Sequence, residues 1–519
     1  MLLGVGAARA ATIAPNMACQ QLSESVLTDT VFDIPPAIVD AGTARSGDMA
    51  MPAHCLVRGT IEKRVGAGGV PFGSKFELRL PTAWNGRFMF QGGGGTDGAV
   101  LPAYGDRNQP TGNSPALAQG YAVVTTDGGH EDNDASFGLD RKARTDWGYH
   151  SVDIVTRAAK QLVTLYYGRA PDFSYLVGCS NGGRQGMMMS QRFPDEYDGI
   201  VAGDPVFRLS ESHVASAWDI QTFTAIAPKG TDGLPVLAGA FSDSNLKLLS
   251  NAILAACDAK DGLRDGLVSN TTACNFNPIR LKCRGKKSDA CLTAAQVQAL
   301  NRYIAGPYDA KGRPLYVGWP WDPGFAAPGW RAWKLGTSTS SVPNAIKAGL
   351  SNNAIRYVML TPPQPDMTEA AFDFNRDPAR MRASAAFTDA TSVDLARFRA
   401  HGGKIIFYHG LADPAISARD TQRYYEALTQ AQGGAKRTED FARLFLVPGM
   451  THCSGGSGLD SFNTLAAITA WVEQHQPPAR LTATGKAMPG VSRPLCPYPT
   501  SAHYVGKGDV KNEVNFLCR

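Results

Sequence analysis

Ser180 stands in Gly178-Cys179-Ser180-Asn181-Gly182, a G-x-S-x-G pattern between a short apolar run, Tyr175 to Gly178, and a methionine-rich helical stretch. In that context the pattern sets a serine on a tight strand-to-helix turn, where small neighbours let the two elements approach while the hydroxyl faces a cleft. A serine hydroxyl is a poor nucleophile until a base takes its proton, so the implied chemistry is acyl transfer assisted by a histidine and an orienting carboxylate. Such a turn goes with the chain order Ser, Asp, His. His409-Gly410-Leu411-Ala412-Asp413 offers the carboxylate and Pro448-Gly449-Met450-Thr451-His452 the base, each after a strand-like run. Asp204, after the run Gly199 to Gly203, is the competing carboxylate. Among the other histidines, His409 reads as a packed neighbour of the site, His130 as part of a Gly-rich loop and His475 as a solvated helix end. A developing oxyanion needs two donors. The N–H of Asn181 is one, and the run Gln91-Gly92-Gly93-Gly94-Gly95-Thr96, after another strand-like run, supplies the other. No Gly-Lys-Ser/Thr follows, so this run is not a phosphate-binding loop.

The elements that must hold these residues read as an α/β pattern. Strands are expected at Phe76 to Pro81, Arg87 to Phe90, Tyr121 to Thr126 and Tyr175 to Gly178, with helices over Ser151 to Tyr167 and Gly183 to Arg192. From Val206 to Leu395 this alternation gives way to helices, cysteines and Trp/Pro-rich loops. Strand signals return at Lys404 to His409 and Ala442 to Val447, followed by a last helix over Ser461 to Gln474. The expected architecture is an α/β-hydrolase fold: an N-terminal arm over 1–18, a catalytic domain from 19–205 and 396–519, and an inserted lid over 206–395. No internal repeat is present.

With 519 residues, 43% hydrophobic and 19% charged, the chain can bury a large core. Its net charge of +5 carries no long basic run, which argues against nucleic-acid binding. No stretch reaches the roughly 18 apolar residues of a membrane span. Met1 to Ala11 ends in Ala8-Arg9-Ala10, like the tail of a signal peptide without its basic start. The ten cysteines are an even set without C-x-x-C spacing, which points to five disulfides and to a secreted or periplasmic protein. Cys179 precedes Ser180 and Cys453 follows His452, so a serine and histidine in hydrogen-bond reach would bring these two sulfurs close enough to bridge. Cys257 with Cys274, and Cys283 with Cys291, would close short loops. Asp258, Asp261 and Asp265 crowd a glycine-bearing stretch that suits either Ca²⁺ or a solvated acidic turn.

Gly178 to Gln185, Gln191 to Pro194, Asp198 to Gly203, Tyr408 to Asp413 and Val447 to Gly456 together resemble the tannase and feruloyl esterase family. The resemblance implies an α/β-hydrolase core with a large lid, the triad Ser180, Asp413 and His452, and oxyanion donors at Gly95 and Asn181. It also implies five bridges: Cys19 with Cys55, Cys179 with Cys453, Cys257 with Cys274, Cys283 with Cys291, and Cys496 with Cys518. A structural Ca²⁺ is implied in the lid, on Asp258, Asp261, Asp265 and the carbonyls of Leu263 and Leu267, with no organic cofactor. Within the family, Trp84 to Arg87 and the ending from Leu495 are most similar to members that cleave monoesters of terephthalic acid. Their Trp, Arg and Phe substrate contacts fall here on Trp333, Lys347 and Ser351. A lysine meets a carboxylate as a point charge without arginine's fork, so a weaker grip and a broader range of aromatic acids are expected. The expected partner is a small aromatic ester on a monomeric enzyme. Esters of plant phenolic acids are the competing substrates. A peptidase, or a calcium-stabilised binding protein without activity, competes with the esterase as a class.

Overall fold

The computed structural model describes residues 12–25, 27–106, 112, 114–132 and 134–519. The signal-like segment Met1 to Ala11 lies outside them. A nine-stranded mixed sheet forms the centre. In chain order its strands are β1 (Thr30–Val39), β2 (His54–Val65), β3 (Pro71–Pro81), β4 (Arg87–Gln91), β5 (Ala122–Thr126), β6 (Phe173–Cys179), β7 (Gly199–Gly203), β8 (Lys404–Gly410) and β9 (Ala442–Val447). Across the sheet they run β1-β2-β3-β5-β4-β6-β7-β8-β9. The pairs β1/β2, β2/β3 and β3/β5 are antiparallel; from β5 through β9 every pairing is parallel.

The parallel strands are apolar on both sides, as strands covered on both faces must be. Phe88, Phe90, Leu176, Ile200, Ile405 and Phe407 point to one face and join side chains of α1 (Ser151–Tyr167) and α2 (Asn181–Arg192). Their neighbours Met89, Tyr175, Val177, Val201, Ile406 and Tyr408 point to the other, towards the last helix, Thr464–Gln474. The two antiparallel strands β1 and β2, which no sequence signal marked, extend one edge of the sheet. Strand β1 is largely exposed, carries Pro35 and Pro36, and is bulged against β2, so its apolar alternation is weak. Near this edge Cys19, in a short 3₁₀ turn ahead of β1, is bridged to Cys55 on β2, and at the other end of the chain Cys496 is bridged to Cys518.

Among the described residues no strand of this sheet falls between Gly203 and Lys404. Helices fill that stretch, among them α3 (Leu209–Thr224), α4 (Asp243–Cys257), α5 (Ala294–Ala305), α6 (Pro328–Lys334) and α7 (Ile346–Ala354). They have a core of their own, in which Phe223, Leu249, Tyr303, Trp319, Phe325 and Trp330 meet. A separate apolar seam joins Val206, Leu209, Ile355 and Val358 to Phe72, Phe137 and Trp147 on the sheet side. No helix among the described residues is long and apolar enough to cross a membrane.

Candidate active site

Ser180 occupies the turn between β6 and α2 with φ 63° and ψ −124°, a backbone that L-residues avoid. Two glycines make the turn possible. A Cβ on Gly178 would lie 2.5 Å from the carbonyl carbon of Gly182, and one on Gly182 would lie 2.7 Å from the oxygen of Gly93. As the first residue of α2, Asn181 carries an N–H with no intrahelical acceptor, beside the nucleophile. Gly95, with φ +57°, lines the same cavity as Ser180.

His452 comes from the loop after β9 and Asp413 from the loop after β8, so parallel neighbours deliver base and carboxylate to one end of the sheet. His452 Nε2 lies 2.9 Å from Ser180 Oγ, and His452 Nδ1 lies 2.8 Å from Asp413 Oδ2. An ionised Asp413 fixes the proton on Nδ1 and leaves Nε2 to accept from the serine. The other Asp413 oxygen accepts from the backbone N–H groups of Ala415, at 2.6 Å, and Ile416, at 3.1 Å. Burial acts to raise the Asp413 carboxyl, but the charge of His452 and hydrogen bonds from both His409 and His452 outweigh it and hold the carboxyl well below the usual range.

The competing residues have other partners. Asp204 accepts from Gly410 N–H at 2.8 Å and from Cys453 N–H, tying the loops of Asp413 and His452 together. Burial raises its carboxyl. His409 is wholly buried, with Nδ1 2.8 Å from Thr421 Oγ1 and Nε2 3.3 Å from Asp413 Oδ2. Burial would lower it, but Asp204 and Asp413 raise it overall. His130 is buried against the Phe137 ring, 3.8 Å between centroids, and His475 caps the exposed end of the last helix. All ten cysteines pair: Cys19 with Cys55, Cys179 with Cys453, Cys257 with Cys274, Cys283 with Cys291, and Cys496 with Cys518. The bridge from Cys179 to Cys453 joins the residue before the serine to the residue after the histidine.

The serine opens into a cavity of about 370 Å³. Trp333, on α6, meets the His452 ring edge-on at 5.0 Å between centroids and lines this cavity, as does Lys347 on α7. Burial pushes the Lys347 ammonium down to about 8. Ser351 does not line the cavity; it is buried with Oγ 2.9 Å from Nδ1 of His213 on α3, and His213 does line it. No sequence motif marks His213, which sits inside a helix most of whose residues are buried.

Asp258, Asp261 and Asp265 follow α4 in a loop stapled by the bridge from Cys257 to Cys274. Asp258 accepts from the N–H groups of Asp265 and Gly266, both at 3.1 Å, and Asp261 from those of Leu263 and Ser269, at 3.3 and 3.2 Å. Asp265 accepts from Leu267 N–H on one oxygen and from Arg493 on the other. Burial raises Asp258 and pushes Asp261 up to about 6, with the negative charge of Asp265 adding to both. The hard-oxygen donors fit Ca²⁺, and a cation would relieve this crowding of carboxylates. Their oxygens do not gather within 4.8 Å of one another as the ligand atoms of Asp204, Asp413 and His452 do.

Comparison with known proteins matches residues 65–519 to the model for "Tannase and feruloyl esterase". The chain is 46% identical to the mono(2-hydroxyethyl) terephthalate hydrolase of Piscinibacter sakaiensis, over 92% of this chain and 87% of that protein. Its fold is similar to feruloyl esterase B from Aspergillus oryzae, with a TM-score of 0.82 at 24% identity over 96% of this chain and 99% of that one. It is also similar to a tannin acyl hydrolase from Aspergillus niger, with a TM-score of 0.73 at 22% identity over 98% and 96%. By the match over most of its length, the chain belongs to the tannase and feruloyl esterase family.

Proposed function

We propose that this protein is a secreted serine carboxylesterase of α/β-hydrolase architecture that cleaves esters of aromatic acids, mono(2-hydroxyethyl) terephthalate among them. The observation that carries the reading is the relay from Ser180 through His452 to Asp413, at 2.9 and 2.8 Å, opening into a cavity walled by Trp333. Residues 206–395 act as the lid over a catalytic domain formed by 19–205 and 396–519. Ser180 attacks the ester carbonyl as His452 takes its proton, and the N–H groups of Gly95 and Asn181 receive the oxyanion. His452 returns the proton to the departing alcohol; a water, activated by the same imidazole, then releases the acid and restores Ser180. Asp413 orients the imidazole and stabilises its charged form. The protein acts as a monomer, with Ca²⁺ on Asp258, Asp261, Asp265 and the carbonyls of Leu263 and Leu267 bracing the lid.

The relative from Piscinibacter sakaiensis favours a terephthalate monoester. Lys347, a point charge where a forked arginine would be more selective for a carboxylate, favours a second reading in which feruloyl and galloyl esters are also turned over. Hydrolysis of mono(2-hydroxyethyl) terephthalate beside methyl ferulate and methyl gallate tests both, using wild type and Ser180→Ala. The expected result is release of the aromatic acid by wild type and a loss on the order of 10⁴-fold or more in kcat for Ser180→Ala. Equal, residual turnover by both proteins on all three esters would refute the reading.

A further inference from the structure

The cavity that holds Ser180 also holds two polar groups outside the relay. Lys347, on α7, is buried with Nζ 3.2 Å from Ser212 Oγ. The next residue along α3, His213, is buried beside it and lines the same cavity. Its ring is hydrogen-bonded at Nδ1, to the Oγ of Ser351 one helical turn beyond Lys347 on α7, which leaves Nε2 for a ligand. Burial and the neighbouring Lys347 charge keep the His213 imidazole neutral. The titratable groups around Lys347 are Lys334, Asp219, Asp413 and Glu369; Lys334 and Asp219 are paired with each other, Asp413 is engaged by His452, and burial pushes the Glu369 carboxyl well above the ordinary range, so none of them consumes the Lys347 ammonium.

A neutral imidazole presents one donor and one acceptor, and the partner on one nitrogen decides which the other shows. The Ser351 hydroxyl can donate to Nδ1; in that tautomer, the one a bound carboxylate selects, the ring presents Nε2–H beside the Lys347 ammonium. Two convergent donors suit the two oxygens of a carboxylate, which a lone lysine grips without fixing its orientation.

We infer that His213 is a specificity-determining residue: held by Ser351, its Nε2–H binds the second carboxylate of an aromatic dicarboxylic acid monoester together with the Lys347 ammonium. Histidine and lysine from two helices thereby rebuild the fork that a single lysine lacks. Ser351 serves this indirectly, as a positioning residue. The inference rests on the proposed esterase activity and on entry of the acyl ring into this cavity.

The test compares the 2-hydroxyethyl monoester of terephthalate with 2-hydroxyethyl benzoate, which lacks the second carboxylate, on wild type, His213→Leu, His213→Gln and Ser351→Ala. A hydrogen bond to a charged group predicts a rise in KM for the terephthalate monoester of about 10- to 100-fold in His213→Leu. The kcat/KM on the benzoate ester, which reports folding and the relay, falls less than that on the terephthalate monoester, so the ratio of the two shifts by about 10-fold or more. His213→Gln, which keeps an N–H donor, recovers part of the loss, and Ser351→Ala shows a smaller loss confined to the terephthalate ester. Equal losses on both esters, or an unchanged preference in His213→Leu, would overturn the inference while leaving the esterase reading intact. Wild-type inertness towards both esters would overturn the esterase reading and this inference with it.

Discussion

At the scale of single residues, the Gly-rich run after β4, the proposed oxyanion loop, is held by one carboxylate. Asp97, with φ 54°, accepts from Asn181 Nδ2 and, at 2.9 Å, from Gln185 Nε2, while Gln185 Oε1 accepts from Gly93 N–H at 2.9 Å. One acidic side chain thus links the Gly-rich run to the first turns of the helix behind the nucleophile. Removing an oxyanion donor outright costs about 10²–10³ in kcat; Asp97→Ala, which releases the loop without deleting a donor, is expected to lower kcat by roughly tenfold with little change in KM. Steady-state kinetics check this, and a change confined to KM would contradict it. The relay residues were legible in the sequence because each follows a strand-like run with a marked turn, at Gly178 to Gly182, His409 to Asp413 and Pro448 to His452. His213 was not, since its role depends on which residues of another helix face it. Ser351, counted along the lid as a substrate contact, instead lies behind the cavity: its short hydroxyl reaches a histidine where a ring would reach the substrate.

Among the elements, the parallel strands and α1 were readable from apolar runs and helical spacing, and helix α1 begins and ends where the spacing predicts. Strands β1 and β2 were not, because an exposed, proline-bearing edge and a run such as Glu62-Lys63-Arg64 lack the alternation that marks a half-buried strand. The residues of the loop after α4 leave calcium and a solvated turn equally open, and the proposed Ca²⁺ is decided by measurement. Adding Ca²⁺ at about 100 times its dissociation constant is expected to stabilise the protein by about 2.7 kcal/mol, and chelation to remove that gain. Asp258→Ala should abolish the calcium-dependent rise in Tm while leaving the calcium-free Tm within a few degrees. A Tm that ignores calcium in wild type would remove the metal from the reading.

For the whole molecule, several carboxyls shielded from water are pushed up by burial: Asp322 to about 6, Asp97 to about 7 and Asp127 to about 8. A carboxyl whose folded value exceeds its unfolded one contributes stability fully present below the unfolded value and lost as pH rises through the folded one. His130, pushed down to about 4 by burial, and His213, lowered by burial, act in the opposite sense over the acidic part of that range. The carboxyls are the larger set and reach further up in pH, so Tm is expected to fall between about pH 5 and pH 8. Calorimetry at the two values decides it; a rise in Tm would mean that these carboxyls ionise at ordinary values.

The chain leaves the sheet at Gly203 and rejoins it at Lys404, on the strand directly alongside, with Gly199 opposite Lys404 in register. Whatever lies between therefore enters and leaves through one narrow gate in the frame, while Ser180 precedes the gate and Asp413 and His452 follow it. Because both ends are anchored on neighbouring strands, a change of length inside the segment need not disturb strand register. Grafting a relative's segment between these two strands is therefore the direct way to ask whether acid preference travels with it.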